Sequence, residues 1–110
     1  MPDALADRRS SPRYNLIVAA TLAESGSVTR ISARTSDISR TGCYVDTLTP
    51  LAKGKTLRVI LTRGDETFET EGKVTYVSAG LGMGIQFDQP VDAQQLAVLD
   101  SWLEKATPLR

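Results

Sequence analysis

Between Phe68 and Tyr76 the chain alternates without a break. Phe68, Thr70, Gly72, Val74 and Tyr76 are apolar or small, and Glu69, Glu71, Lys73 and Thr75 between them are polar. A period of two places successive side chains on opposite faces, so this segment predicts a strand with one face in a core. The same pattern recurs along the chain. Leu16, Val18, Ala20 and Leu22 share one parity, and Ile31 and Ala33 share one within the run from Val28 to Ser36. A short run from Cys43 to Thr47 follows, then Leu57, Val59 and Leu61, and finally Met83, Ile85 and Phe87 within Gly82 to Phe87. Turn-forming residues separate the runs: Glu24-Ser25-Gly26-Ser27, Asp37-Ile38-Ser39-Arg40-Thr41-Gly42, the loop around Pro50, Lys53 and Gly54, and Arg63-Gly64-Asp65-Glu66. Gly72 in the middle of its run predicts a bulge or sharp bend.

The period then changes. Asp92 stands as an N-cap with Gln95 at the capping-box position, and Leu96, Leu99 and Leu103 recur at helical spacing beside Trp102. Pro108 is placed to stop this helix. Six short strands closed by one helix predict a small antiparallel barrel or sandwich.

A chain of 110 residues fits one domain. Residues 1–13 read as a flexible tail and residues 14–110 as the folded unit. Thirteen basic and thirteen acidic side chains cancel, so no broad basic field exists for DNA or RNA. An anionic ligand must be held by a local cluster. The sequence has no histidine, which removes Ser–His and Cys–His catalysis and most zinc and iron sites. No nucleophile–base pair or metal-ligating cluster is seen, so neither an enzyme nor a metal protein is expected. Cys43, the single cysteine, lies in a strand pattern and is expected as a buried core thiol. No apolar run approaches a signal peptide or a membrane span of about 20 residues, so a cytoplasmic location is expected.

Two polar clusters remain after the core pattern is removed. The first is Arg9-x-x-x-Arg13, with Arg8 beside it, and the second is Asp37-x-Ser39-x-x-Gly42. Together with Gly82-Met83-Gly84-Ile85-Gln86-Phe87, in this order and spacing, they resemble the signature of the PilZ domain family. The resemblance runs from Arg8 to Phe87 and, with the terminal helix, takes in most of the chain. It implies an all-β fold with one terminal helix: a six-stranded antiparallel β-barrel plus a C-terminal α-helix. It also implies a ligand, the bacterial second messenger cyclic di-GMP, with no further cofactor.

Carried over by position, Arg9 and Arg13 hold phosphate and guanine, while Asp37, Ser39 and Gly42 hold a guanine at the barrel surface. An arginine at Arg8 resembles the form that takes a stacked pair of nucleotides. The chemistry is consistent with these roles. A guanidinium fork matches phosphate oxygens or the guanine O6/N7 edge and stacks on purines. A carboxylate accepts from guanine N1–H and N2–H2 together. The expected role is a sensor and adaptor: ligand orders the tail, and a downstream protein partner in motility, biofilm or pilus control reads the new surface. The alternative is a protein-interaction module on the same barrel that binds no nucleotide. Oligomeric state is not legible in the sequence.

Overall fold

The structure is a computed structural model that describes residues 12–108. It contains eight strands and one helix among those residues: β1 (Tyr14–Asn15), β2 (Ala19–Glu24), β3 (Arg30–Ile38), β4 (Gly42–Asp46), β5 (Thr56–Arg63), β6 (Glu66–Ser78), β7 (Gly82–Phe87), α1 (Ala93–Glu104) and β8 (Thr107–Pro108). Six of the strands form a closed antiparallel barrel in the order β2-β5-β6-β7-β4-β3, with β2 pairing back onto β3. Closure leaves no long sheet edge in the barrel. The short strands β1 and β8 extend the sheet beyond the second half of β3.

The alternation predicts the core correctly. Val18, Ala20, Leu22, Leu57, Val59, Leu61, Phe68, Val74, Met83, Ile85 and Phe87 are all buried, and Phe68 packs on Phe87 with ring centroids 5.1 Å apart. Cys43 is buried as expected. The helix adds Leu99, Trp102 and Leu103 to the same core. Asp92 caps it, with Oδ2 accepting from the amides of Gln94 and Gln95 at 3.0 and 3.3 Å.

Several local expectations need correction. The run from Leu16 to Leu22 is divided: Leu16 to Val18 bridge two strands, because the chain leaves β3's second half to β1 and its first half to β2. Asp37 and Ile38 belong to β3 and do not break it. Gly72 is paired regularly with both Leu57 and Phe87. Its missing side chain serves close packing: a Cβ there would sit 2.7 Å from the Gln86 carbonyl oxygen. The bulge in β6 lies further on, between Val74 and Tyr76. Gln95 does not close a capping box. Its Oε1 instead accepts from the Glu69 amide at 2.7 Å, and with the 2.9 Å bond from Trp102 Nε1 to Glu66 it fastens α1 to β6. The helix ends at Glu104, and Pro108 lies in β8. No described helix is long and apolar enough to cross a membrane.

Candidate functional site

Parity decides which residues of β3 face outward. Ile31, Ala33 and Thr35 share the inward parity, and simple alternation would send Asp37 inward too. A bulge between Thr35 and Asp37 inserts Ser36 as an extra residue, so the ladder continues with Asp37 opposite Tyr44 and Ile38 opposite Cys43. Thr35 and Ile38 are therefore fully buried while the Asp37 carboxylate comes out onto the barrel surface. The second bulge does the same on β6. Val74 stays in the core, and Tyr76 turns outward with 46% of its surface exposed.

Between these two bulged strands lie β4 and β7. The registers align Asn15, Asp37, Tyr44, Gly84 and Tyr76 as direct neighbours across β1, β3, β4, β7 and β6. The row makes one outward strip. Gly82 and Gly84 form its floor: the Tyr76 ring lies over Gly84, while Gly82 is approached by the Val45 carbonyl oxygen and by the Tyr44 ring. A Cβ on Gly84 would fall 2.6 Å from Tyr76 Cζ, and one on Gly82 would fall 2.8 Å from Tyr44 Cε1. The two tyrosine rings stand 6.0 Å apart at 34°.

Arg13 closes the strip at the β1 end. Its Nε donates to Asp37 Oδ1 at 3.1 Å and its Nη2 to Oδ2 at 2.6 Å, a two-pronged ion pair between groups 24 residues apart. Both partners are partly shielded from water, with 32% and 14% of their side chains exposed. The carboxylate bond raises the pKa of the guanidinium above its usual value, and the Tyr76 hydroxyl adds to this in a smaller way. The pair uses two of the five donors of Arg13, and each Asp37 oxygen keeps a lone pair for another donor.

The strip is held from behind by Thr35. Its hydroxyl accepts from the Val18 amide at 3.0 Å and donates to the Leu16 carbonyl at 2.8 Å, fixing the segment that carries β1 against β3. The loop after β3 is fixed by Ser39. This buried hydroxyl accepts from the amides of Thr41 and Gly42 at 3.1 and 3.2 Å, and the Ser39 amide donates to the Gly42 carbonyl at 2.8 Å. Ser39 thus shapes the turn that follows Asp37. Gly42 permits β4 to approach β7, since a Cβ there would collide with the Ile85 carbonyl oxygen. Arg40, in the same loop, reaches α1 and donates to Asp100 at 2.9 and 3.4 Å.

Of the six residues marked from the sequence, the structure brings Arg13 and Asp37 into contact and sets Ser39 and Gly42 in the adjoining turn. Arg8 and Arg9 lie outside the described residues. Sequence reasoning missed Tyr44 and Tyr76 as surface groups, because strict alternation sends Tyr76 inward. The available signals were the adjacent pair Tyr76-Val77, which no alternating strand buries together, and the bare face of Gly82 and Gly84, which needs a cover.

The PilZ domain family model matches residues 7–105. The chain belongs to the PilZ domain family. Solved structures share the fold. The inhibitor of motility MotI/DgrA from Bacillus subtilis superposes with a TM-score of 0.71 at 20% identity, over 89% of this chain and 50% of that one. This chain therefore spans about half of that protein's length. The PilZ domain of YcgR from Escherichia coli, solved with c-di-GMP, gives 0.71 at 16% identity over 89% and 92% of the two chains. The PilZ domain of CeSA from a cellulose-synthesizing bacterium gives 0.64 at 15% identity over 84% and 94%. No curated protein matches the sequence.

Proposed function

We propose that this chain is a cytoplasmic receptor for cyclic di-GMP that passes its ligand state to a protein partner, without chemistry of its own. The observation that carries the reading is the contact between Arg13 and Asp37, which joins the two polar motifs on one outward strip beside two tyrosines. The YcgR PilZ domain, with the same fold, has been solved with c-di-GMP.

In this reading Arg9 and Arg13 take phosphate oxygens and the guanine O6/N7 edge. Asp37 accepts from guanine N1–H and N2–H2, and Ser39 and Gly42 set the turn and backbone that receive the base. Arg8 stacks on a second, intercalated nucleotide and offsets part of the charge of four phosphates. The ligand must compete with the existing ion pair. A nucleotide bringing both anion and donors can replace each partner's bond rather than merely break it. Binding fixes the arm that carries Arg9 and Arg13 against the barrel, at a cost of about 1–2 kcal/mol per residue immobilised, which charge-assisted bonds of roughly 1.5–3 kcal/mol each must exceed.

An adaptor also needs a face for its partner. Leu48 and Leu81 are 83% and 69% exposed, and the 3.0 Å bond from the Thr47 amide to the Leu81 carbonyl joins the two loops that carry them. Leu81 directly precedes Gly82 of the strip, so a partner docked on these leucines would lie close to an occupied site. Calorimetric titration of the full chain and of Arg9→Ala with cyclic di-GMP tests the proposal. Binding by the full chain, weakened about tenfold or more in the variant, supports it. Absence of binding by the full chain rejects it in favour of a nucleotide-independent interaction module.

A further inference from the structure

The arm that carries Arg13 has a second neighbour that neither motif includes. Immediately after Arg13, β1 pairs with β3 on one side, Tyr14 with Ile38 and Asn15 with Asp37. On its other side it pairs with β8, Tyr14 with Pro108 and Asn15 with Thr107. A two-residue strand held from one side only would fray readily, since the first residues of any edge open at little cost. Here β8 makes it the middle strand of a three-stranded ribbon, and Thr107, Asn15 and Asp37 extend the strip by direct register.

The strand β8 leaves from a fixed point. The bonds from Lys105 to the Trp102 carbonyl and from Ala106 to the Leu103 carbonyl close the turn after α1. Trp102 and Leu103 are buried in the core. The same helix holds the loop of the second motif through Arg40 and Asp100. The unit formed by α1 and β8 therefore touches both halves of the site, and Thr107 lengthens its strip by register.

We infer that residues 106–108 form a positioning strand for the arginine arm, so that nucleotide occupancy and the docking of this segment are coupled. The coupling to nucleotide rests on the function proposed above, whereas the positioning of β1 does not. Linkage is reciprocal: if docked β8 strengthens nucleotide binding by a factor, bound nucleotide strengthens β8 docking by the same factor. The segment after α1 is thus a place where the ligand state becomes visible to a partner.

Two variants test this, a chain ending at Lys105 and a full chain with Thr107→Gly and Pro108→Gly, which weakens the strand while keeping its length. In the absence of nucleotide, both exchange the amide hydrogens of Tyr14 and Asn15 faster than the parent chain, with melting temperature lowered by no more than a few degrees. Unchanged exchange at Tyr14 and Asn15 overturns the positioning role. With cyclic di-GMP, both variants bind about fivefold or more weakly, and exchange at residues 106–108 of the parent chain slows on saturation. Parental affinity in both variants, or exchange at 106–108 indifferent to nucleotide, overturns the coupling. A parent chain that binds no nucleotide rejects the function and the coupling together, and the exchange at Tyr14 and Asn15 still decides the positioning role.

Discussion

At the scale of single residues, the proposed site gives Arg13 and Asp37 two roles that oppose one another. Each holds the other in the structure, and in the proposed complex each turns to the ligand. Their ion pair is partly exposed, so it contributes no more than about 1 kcal/mol to stability. Arg13→Lys should therefore lower the melting temperature by only a few degrees. A lysine is a point charge without a fork or a stacking plane, so the same change should weaken cyclic di-GMP binding by about tenfold or more. Calorimetry beside thermal melting separates the two effects, and a variant that binds like the parent would remove Arg13 from the site. Cys43 is the other residue with a readable titration. Burial pushes its thiol up to about 12, with the nearby Asp37 charge adding to the effect. The unfolded chain loses this proton first, so the contribution to stability is intact below about pH 9 and falls as pH rises toward 12. Urea unfolding at neutral and alkaline pH should show a larger alkaline loss in the parent than in Cys43→Ala. Equal losses would mean that other groups account for the whole alkaline decline.

At the scale of elements, Gly42 and Gly84 differ in what a side chain there would meet. A side chain at Gly42 meets the backbone of β7, which can yield only if two strands separate. Gly42→Ala should cost roughly 1–3 kcal/mol, the usual range for overpacking. A side chain at Gly84 first meets the ring of Tyr76, which is half exposed and can swing outward. Gly84→Ala should thus leave the urea midpoint nearly unchanged while weakening nucleotide binding, because the strip loses its shape. Equal destabilisation by both changes would contradict the assignment of Tyr76 as a movable cover. The elements also show where sequence reading succeeds and where it ends. The inward residues of β2, β5 and β7 follow from alternation because those strands are regular, and one buried face leaves the pattern no freedom. The bulge at Ser36 is invisible to the same reasoning, since one extra residue reverses the parity of everything after it, and the bulge at Thr75 leaves only the indirect signals of the Tyr76-Val77 pair and the bare face of Gly82 and Gly84. The motif located Asp37 by its resemblance, but the reason it faces outward is the bulge. Tyr76 belonged to no motif and was lost. The pairing of β1 with β8 depends on the closure of the chain, which local pattern does not encode.

At the scale of the whole molecule, the barrel provides a rigid frame whose outer strip collects groups from β1, β3, β4, β6 and β7. The frame is common to relatives at 15–20% identity, so its retention reflects core pattern and closure more than particular side chains. Stoichiometry is a property at this scale. With Arg8 beside the pair Arg9 and Arg13, the full chain should take two cyclic di-GMP molecules at saturation, and Arg8→Leu should shift the count toward one. A count of one in both forms would leave Arg8 as a solvated charge. Base identity tests most directly the proposed recognition of guanine by the Arg13–Asp37 strip. Adenine presents an acceptor at N1 where guanine presents a donor, so the carboxylate of Asp37 would face a lone pair. Sites built on hydrogen bonds reject such partners strongly, because buried polar groups are left unmatched. In a competition titration on the full chain, cyclic di-GMP should bind more tightly than cyclic di-AMP by roughly a hundredfold, with Asp37→Ala losing most of that preference. Comparable affinities for the two nucleotides, or a preference unchanged in Asp37→Ala, would contradict the account.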